Sequence, residues 1–126
     1  MKFMKFILKS MIVLVILAMC YIAAESYMAQ YQYKEIKASH ILLDTQEDAL
    51  AVKEMLDNGA VFEELAKERS LCPTKTVGGN LGWFGKNGKM DKTFTKAAFS
   101  MKKGHISDPV QTPYGWHIIR LDDVRK

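Results

Sequence analysis

The sequence predicts an α+β domain in which helices pack around a small antiparallel sheet. An alternating segment opens the folded part, IKASHILL at residues 36–43; helical periodicity fills the middle; and the most regular alternation, GWHIIRLDDV at 115–124, comes last. Strands and helices do not alternate along the chain, which excludes the repeated βα pattern of a parallel sheet. Both end segments place a histidine on the same parity as aliphatic side chains.

The first element is the N-terminal segment. Lys2, Lys5 and Lys9 precede an uncharged run from Ser10 to Ala24, the basic-then-apolar order of an export signal. The run is short of the roughly 20 residues needed to span a bilayer upright. Ile22, Ala23 and Ala24 bring small residues near its end without a clean A-x-A, so cleavage and retention as an anchor both stay open. Tyr21, Tyr27, Tyr31 and Tyr33 cluster beyond it as an interfacial belt would. LAMC at 17–20 resembles a lipoprotein signal, but Met19 stands where a small residue is wanted, so lipidation is not expected. Residues 1–32 are therefore read as a signal peptide or membrane anchor plus a short tether, and 33–126 as the folded domain. The expected location is the cell envelope or periplasm, at the inner membrane if the segment is kept.

In the domain, Ile36, Ala38, His40 and Leu42 share one face of the first strand. Asp44 or Thr45 caps a helix that carries Ala49, Val52, Met55 and Leu56 inward and ends at Asn58 and Gly59. A short helix over 61–69 presents Phe62, Leu65 and Ala66. Pro73 biases Cys72 toward an extended backbone, TKTVGG reads as loop, and LGWF at 81–84 forms a brief strand. GKNGK is a turn, and Asp91 or Thr93 caps a third helix through Phe99 with Phe94, Ala97 and Ala98 inward. HISDPV reads as an edge strand carrying Pro109, and QTPYG as a turn. In the last strand His117, Ile119 and Leu121 face one way and Trp116, Ile118 and Arg120 the other.

Composition narrows the function classes. A chain of 126 residues holds one modest domain. The net charge of +4 owes three units to the N-terminal lysines, and no nucleic-acid partner is expected because the other basic residues are dispersed among acids. Lys102 and Lys103, the longest basic run, read as a solvated turn. Cys20 lies in the apolar run, which leaves Cys72 alone in the domain and rules out a disulfide there. A metal site from Cys72, His40, His105 and His117 is not expected, since their spacings of 32, 33 and 12 match no structural zinc pattern.

The unusual stretch is Leu71–Ser100, which sets Leu81, Met90 and Phe94 among turn-forming residues. Six glycines and prolines fall between Cys72 and Gly88. Large apolar side chains in such a loop close over a core or line a site. His40 and His117, taken singly, are ordinary core histidines; paired across neighbouring strands they point to a site.

Five blocks in order, ASHILL (38–43), FEELAKERSLCP (62–73), GGNLGWF (78–84), GKMDKTFTKAAFS (88–100) and PVQTPYGWHIIRL (109–121), resemble the parvulin family of peptidyl-prolyl cis-trans isomerases. The resemblance implies a four-stranded antiparallel sheet surrounded by about four helices. It makes His40, Cys72 and His117 the catalytic group, with Cys72 at a position the family fills with Cys or Asp. Leu81, Met90 and Phe94 become the proline pocket, and Phe99, Thr112 and Tyr114 line or support the groove. It implies proline-containing polypeptides as partners, no cofactor and no metal, and a monomer is expected. Phosphate-reading parvulins carry a basic loop after the first strand. Here LLDTQED is acidic, so phosphoserine-proline specificity is not expected. Asp91–Thr93 departs from the apolar residue and proline of many relatives, and His105 matches no site residue. Two rival classes stay in view, a non-catalytic chaperone or peptide-binding module of the cell envelope and a Cys-His hydrolase built on Cys72.

Overall fold

The structure, a computed structural model, describes residues 2–30 and 32–126. The chain divides into two units, Met1–Gln32 and Tyr33–Lys126. In the first, helix α1 runs over Lys2–Gln30 and takes in residues 25–30, expected above to be tether. Described apolar side chains from Met11 to Leu17 are exposed. Among the described residues no helix is long and apolar enough to cross a membrane. The expected tyrosine belt rests on Tyr27 and Tyr31, whose side chains lie outside the described residues.

In the second unit, β1 (Glu35–Leu43), β2 (Asn80–Gly85), β3 (Val110–Thr112) and β4 (Gly115–Arg125) form an antiparallel sheet in the order β2-β1-β4-β3. The first and last strands are therefore central neighbours, with Ile41 opposite Ile118 and Leu42 opposite His117. Their adjacency explains why both read as buried: each has a hydrogen-bonded strand on either side. Helices α2 (Gln46–Asp57), α3 (Phe62–Arg69) and α4 (Lys92–Phe99) and a 3-10 turn at Pro73–Val77 surround the sheet.

One sheet face is aliphatic. Ile41, Leu43 and Ile118 pack with Ala49, Val52 and Leu56 of α2 and with Phe62, Leu65 and Ala66 of α3; Met55, Ile106 and Trp116 complete the cluster. Each fully buried aliphatic or aromatic side chain there contributes about 1.5–3 kcal/mol. Thr45 starts α2 by accepting Asp48 N–H at 3.1 Å, and this selects Thr45 from the two candidate caps. At the edge of the same face, Arg120 pairs with Glu63 of α3 (2.7 Å) and Asp122 (2.6 Å) while lying over the Phe62 ring. Ser39 Oγ donates to the same Asp122 at 2.6 Å.

Two expectations are corrected. The edge strand does not run through Pro109: Ile106 makes an isolated bridge to Arg120, and β3 begins only at Val110. Proline has no N–H for the ladder, so pairing resumes just beyond it, and Gln111 and Thr112 belong to the strand instead of the turn. Helix α4 buries Phe94, Thr95, Ala98 and Phe99, with Ala97 half-buried. The small Thr95 faces inward because its hydroxyl is satisfied locally, donating to Asp91 O at 2.8 Å.

Candidate active site

The second sheet face carries the histidines. β1 and β4 supply His40 and His117 from neighbouring central strands, and both are enclosed, with 5% and 4% of their surface exposed. Their rings lie nearly parallel, 18° apart with centroids at 5.2 Å, and Nδ1 meets Nδ1 at 2.9 Å. Phe94, from α4, sets its ring edge-on to both, 5.5 Å from His40 and 5.1 Å from His117.

A hydrogen-bonded chain runs through the pair. Thr112 Oγ1 accepts Tyr114 N–H at 3.2 Å and shares a hydrogen bond of 2.7 Å with His117 Nε2. One proton lies between the two Nδ1 atoms, so one ring donates there and the other accepts. His40 Nε2 is buried with no partner among the described residues. Burial, the larger influence, and the neighbouring His117 lower the His40 pKa to about 4. Burial also lowers His117, opposed by the negative charge of Asp91. Both rings are neutral at neutral pH, as the single proton between them requires.

Local sequence explains the placement. Asp91 caps α4 by accepting Phe94 N–H at 3.0 Å, which fixes the residue whose ring meets the histidines. Gly79 passes beside β1, where its carbonyl accepts His40 N–H at 2.9 Å; its φ is +84° and a Cβ there would collide with the His40 carbonyl oxygen. Ser70 Oγ accepts both Leu42 N–H (3.0 Å) and Cys72 N–H (3.3 Å), tying the cysteine's extended backbone to β1.

The sequence-predicted residues divide into two groups. His40, His117, Phe94 and Thr112 form one contact network, and Tyr114 joins it by its backbone while its side chain stays 75% exposed. Phe99 is connected through Phe84, which lies 6.1 Å from Phe99 and 6.2 Å from Phe94. Leu81, Met90 and Cys72 are half-buried, and none of these contacts joins them to the network: Leu81 lies on β2, Met90 one residue before the Asp91 cap, and Cys72 just ahead of the 3-10 turn. No hydrogen bond joins the Cys72 thiol to an imidazole, since His117 is occupied at both nitrogens and His40 Nε2 is unpaired. The segment after Cys72, expected to be loop, is a five-residue 3-10 turn, too short to carry the macrodipole of a nucleophile-activating helix. His105 is exposed.

Phe84, Asp91 and Gly79 were not singled out as site residues from the sequence. LGWF reads as a strand, and nothing in its pattern says that a register shift at Ala38/Ser39, with Gly82 at φ +74°, breaks the alternation between Leu81 and Phe84. For Asp91 the signal was present: a capping residue three positions before a buried aromatic fixes that aromatic.

Sheet order, helix placement and the central histidine pair together define a parvulin-type domain. The family model described as Rotamase, a PPIC-type PPIASE domain, matches residues 29–123. The foldase protein PrsA of Bacillus subtilis (strain 168) is 50% identical over 91 residues, 72% of this chain and 31% of that protein. Among solved structures, PrsA from Bacillus anthracis superposes with a TM-score of 0.72 at 46% identity, covering 78% of this chain and 45% of the other. NmPin, the parvulin of Nitrosopumilus maritimus, gives 0.65 at 42% identity, covering 71% of this chain and 97% of that one. The chain belongs to the PPIC-type peptidyl-prolyl cis-trans isomerase family. It spans about a third of the length of the curated PrsA relative described above, 31%.

Proposed function

We propose that the Tyr33–Lys126 unit catalyses cis-trans isomerisation of Xaa-Pro bonds in exported or unfolded polypeptides, by stabilising the twisted amide without a covalent step. The observation that carries this reading is the pair of neutral, buried imidazoles backed by Phe94, with His40 Nε2 left without a partner among the described residues. Rotation about the amide is opposed by a resonance barrier of about 18–20 kcal/mol. The twisted amide has lost part of its dipole, so a poorly hydrated site favours it over the planar ground state. A differential of about 5–7 kcal/mol accelerates exchange by roughly 10³·⁷ to 10⁵-fold.

In this reading Leu81 and Met90, backed by the buried Phe94, hold the proline ring while the preceding carbonyl swings. Phe99 and Thr112 support the groove from behind, and Tyr114 stands at its rim. His40 and His117 fix each other's orientation and keep the site neutral. Cys72 acts through its electrostatic character, a role that a carboxylate also fills; the lack of an imidazole partner for its thiol speaks against a nucleophile. Asp44, Glu47 and Asp48 beyond β1 repel a phosphate, so the domain is not phospho-specific.

The basic and apolar N-terminal segment supports export, with residues 1–32 as signal or anchor and the domain working outside the cytoplasm as a monomer. N-terminal sequencing of the envelope-located protein distinguishes a free catalyst from a tethered one. The activity itself is tested by exchange NMR on a proline tetrapeptide with the full chain in detergent. Acceleration over the blank is expected. Binding without acceleration would instead identify a peptide-holding chaperone domain.

A further inference from the structure

The charge of the domain is segregated. Residues 85–103 hold six of the fifteen basic residues of the 33–126 unit but one of its thirteen acids. That acid, Asp91, is engaged as the cap of α4. Among the described residues, ion pairs reach Lys103, which meets Asp123 at 3.0 Å, while Lys86, Lys89, Lys92 and Lys96 have no carboxylate within 4.0 Å. All four are exposed. Like charges gathered without paired counter-charges repel one another.

One of these lysines reaches the aromatic rings of the candidate site, and another precedes Met90 in the chain. Lys86 Nζ lies 5.6 Å from the centroid of Phe99. From Phe99 the ring contacts continue through Phe84 to Phe94 and on to both imidazoles. Lys89 immediately precedes Met90 in the turn between β2 and α4. A peptide lying against this aromatic surface displaces water, and a charge on it then meets these ammonium groups in a medium less polar than bulk solvent.

We infer that Lys86 and Lys89 are specificity-determining residues that favour Xaa-Pro segments with aspartate or glutamate beside the proline. This inference rests on the proposed isomerase activity. It reverses the electrostatics of the acidic loop after β1: the substrate's carboxylates are drawn to the β2–α4 side of the groove and kept from the Asp44–Asp48 side, which also sets the direction in which a charged segment lies.

The test uses the full chain in detergent and tetrapeptides that differ only in the residue next to proline, on either side: alanine, glutamate or lysine. On the better side the glutamate peptide is expected to exchange about 3–10-fold faster than its lysine counterpart at low salt. The ratio should fall toward one at about 0.5 M NaCl, where screening is nearly complete. It should invert in the Lys86→Glu/Lys89→Glu double variant, the ratio being taken within each variant so that any change in overall turnover cancels. Equal rates on glutamate and lysine peptides, or a preference that survives the charge reversal, would overturn the inference. If even the alanine peptide is not accelerated, the isomerase reading itself fails.

Discussion

His40 Nδ1 and His117 Nδ1 face each other at 2.9 Å, a distance that accommodates one proton and not two. Charging the pair at the shared edge would set two N–H groups head to head in a buried site. This geometry makes the folded state reluctant to bind a proton that the unfolded chain accepts readily, and it links stability to pH.

The first prediction follows with its sign. His40 titrates near 6.5 when unfolded and at about 4 in the fold. Above pH 6.5 both states are neutral and the full stability is present; as pH falls, the unfolded chain takes up a proton first, and stability is lost until the folded pKa is passed. The loss from His40 alone is about 2 kcal/mol by pH 5 and about 3 kcal/mol by pH 4. His117 shifts in the same direction. Urea midpoints measured between about pH 7.5 and pH 5, above most carboxylate titrations, should fall steadily. The slope should flatten in His40→Asn; a wild-type midpoint independent of pH across that window would contradict the buried neutral pair.

A second prediction concerns the hydroxyl that ends the chain. Thr112→Val keeps the shape but leaves His117 Nε2 and Tyr114 N–H without their partner. Removing one member of a buried hydrogen-bonded set costs about 1–3 kcal/mol, and Thr112→Ser should restore most of it. Imidazole nitrogen shifts should also show His117 sampling both tautomers in the valine variant. Unchanged shifts and stability would mean that Thr112 does not fix the proton arrangement.

What the sequence disclosed follows from which features are local. The pairing of His40 with His117 was legible because both strands have period-two patterns, and the parity of a histidine with its aliphatic neighbours survives any pairing of the two. The caps of α2 and α4 and the buried stripe of α3 are likewise set within a few residues. Phe84 was not legible, because its position depends on an irregular register between β1 and β2 that only the assembled sheet defines. Nor was the Ser39–Asp122–Arg120–Glu63 network, whose members come from β1, β4 and α3. Alternation placed Arg120 on the face of Ile118, and burial of that face supplied the need for carboxylate partners, but their identity was a tertiary fact.

Gly79 provides a third prediction. Its left-handed backbone and its approach to the His40 carbonyl leave no room for a Cβ. Gly79→Ala should cost about 1–3 kcal/mol from the backbone conformation alone, with further loss from the displaced strand. Because the displaced residue is His40, exchange activity should fall by more than the folded fraction does. Gly59→Ala is the control: its φ is also positive, at +97°, but nothing stands within 4 Å of the added atom. It should lose stability while the folded protein keeps its turnover; equal effects of the two variants on turnover would detach Gly79 from the site.

The last prediction separates a ring-holding surface from nucleophilic attack. Met90 is half-buried in the turn before α4, so its truncation should leave the fold nearly intact; Phe94, only 2% exposed, is part of the core, and Phe94→Ala should cost about 3–5 kcal/mol. Met90→Ala is therefore the cleaner probe. Cys72 has no imidazole partner for its thiol, and an aspartate at its place keeps the backbone N–H bond to Ser70 Oγ ahead of the 3-10 turn. Measured by exchange NMR on one tetrapeptide, Met90→Ala should reduce turnover about tenfold or more, equivalent to about 1.4 kcal/mol of lost transition-state stabilisation, while Cys72→Asp retains most of it. If Cys72→Asp abolishes turnover and Met90→Ala leaves it unchanged, the reaction runs through the sulfur, and the apolar residues only bind.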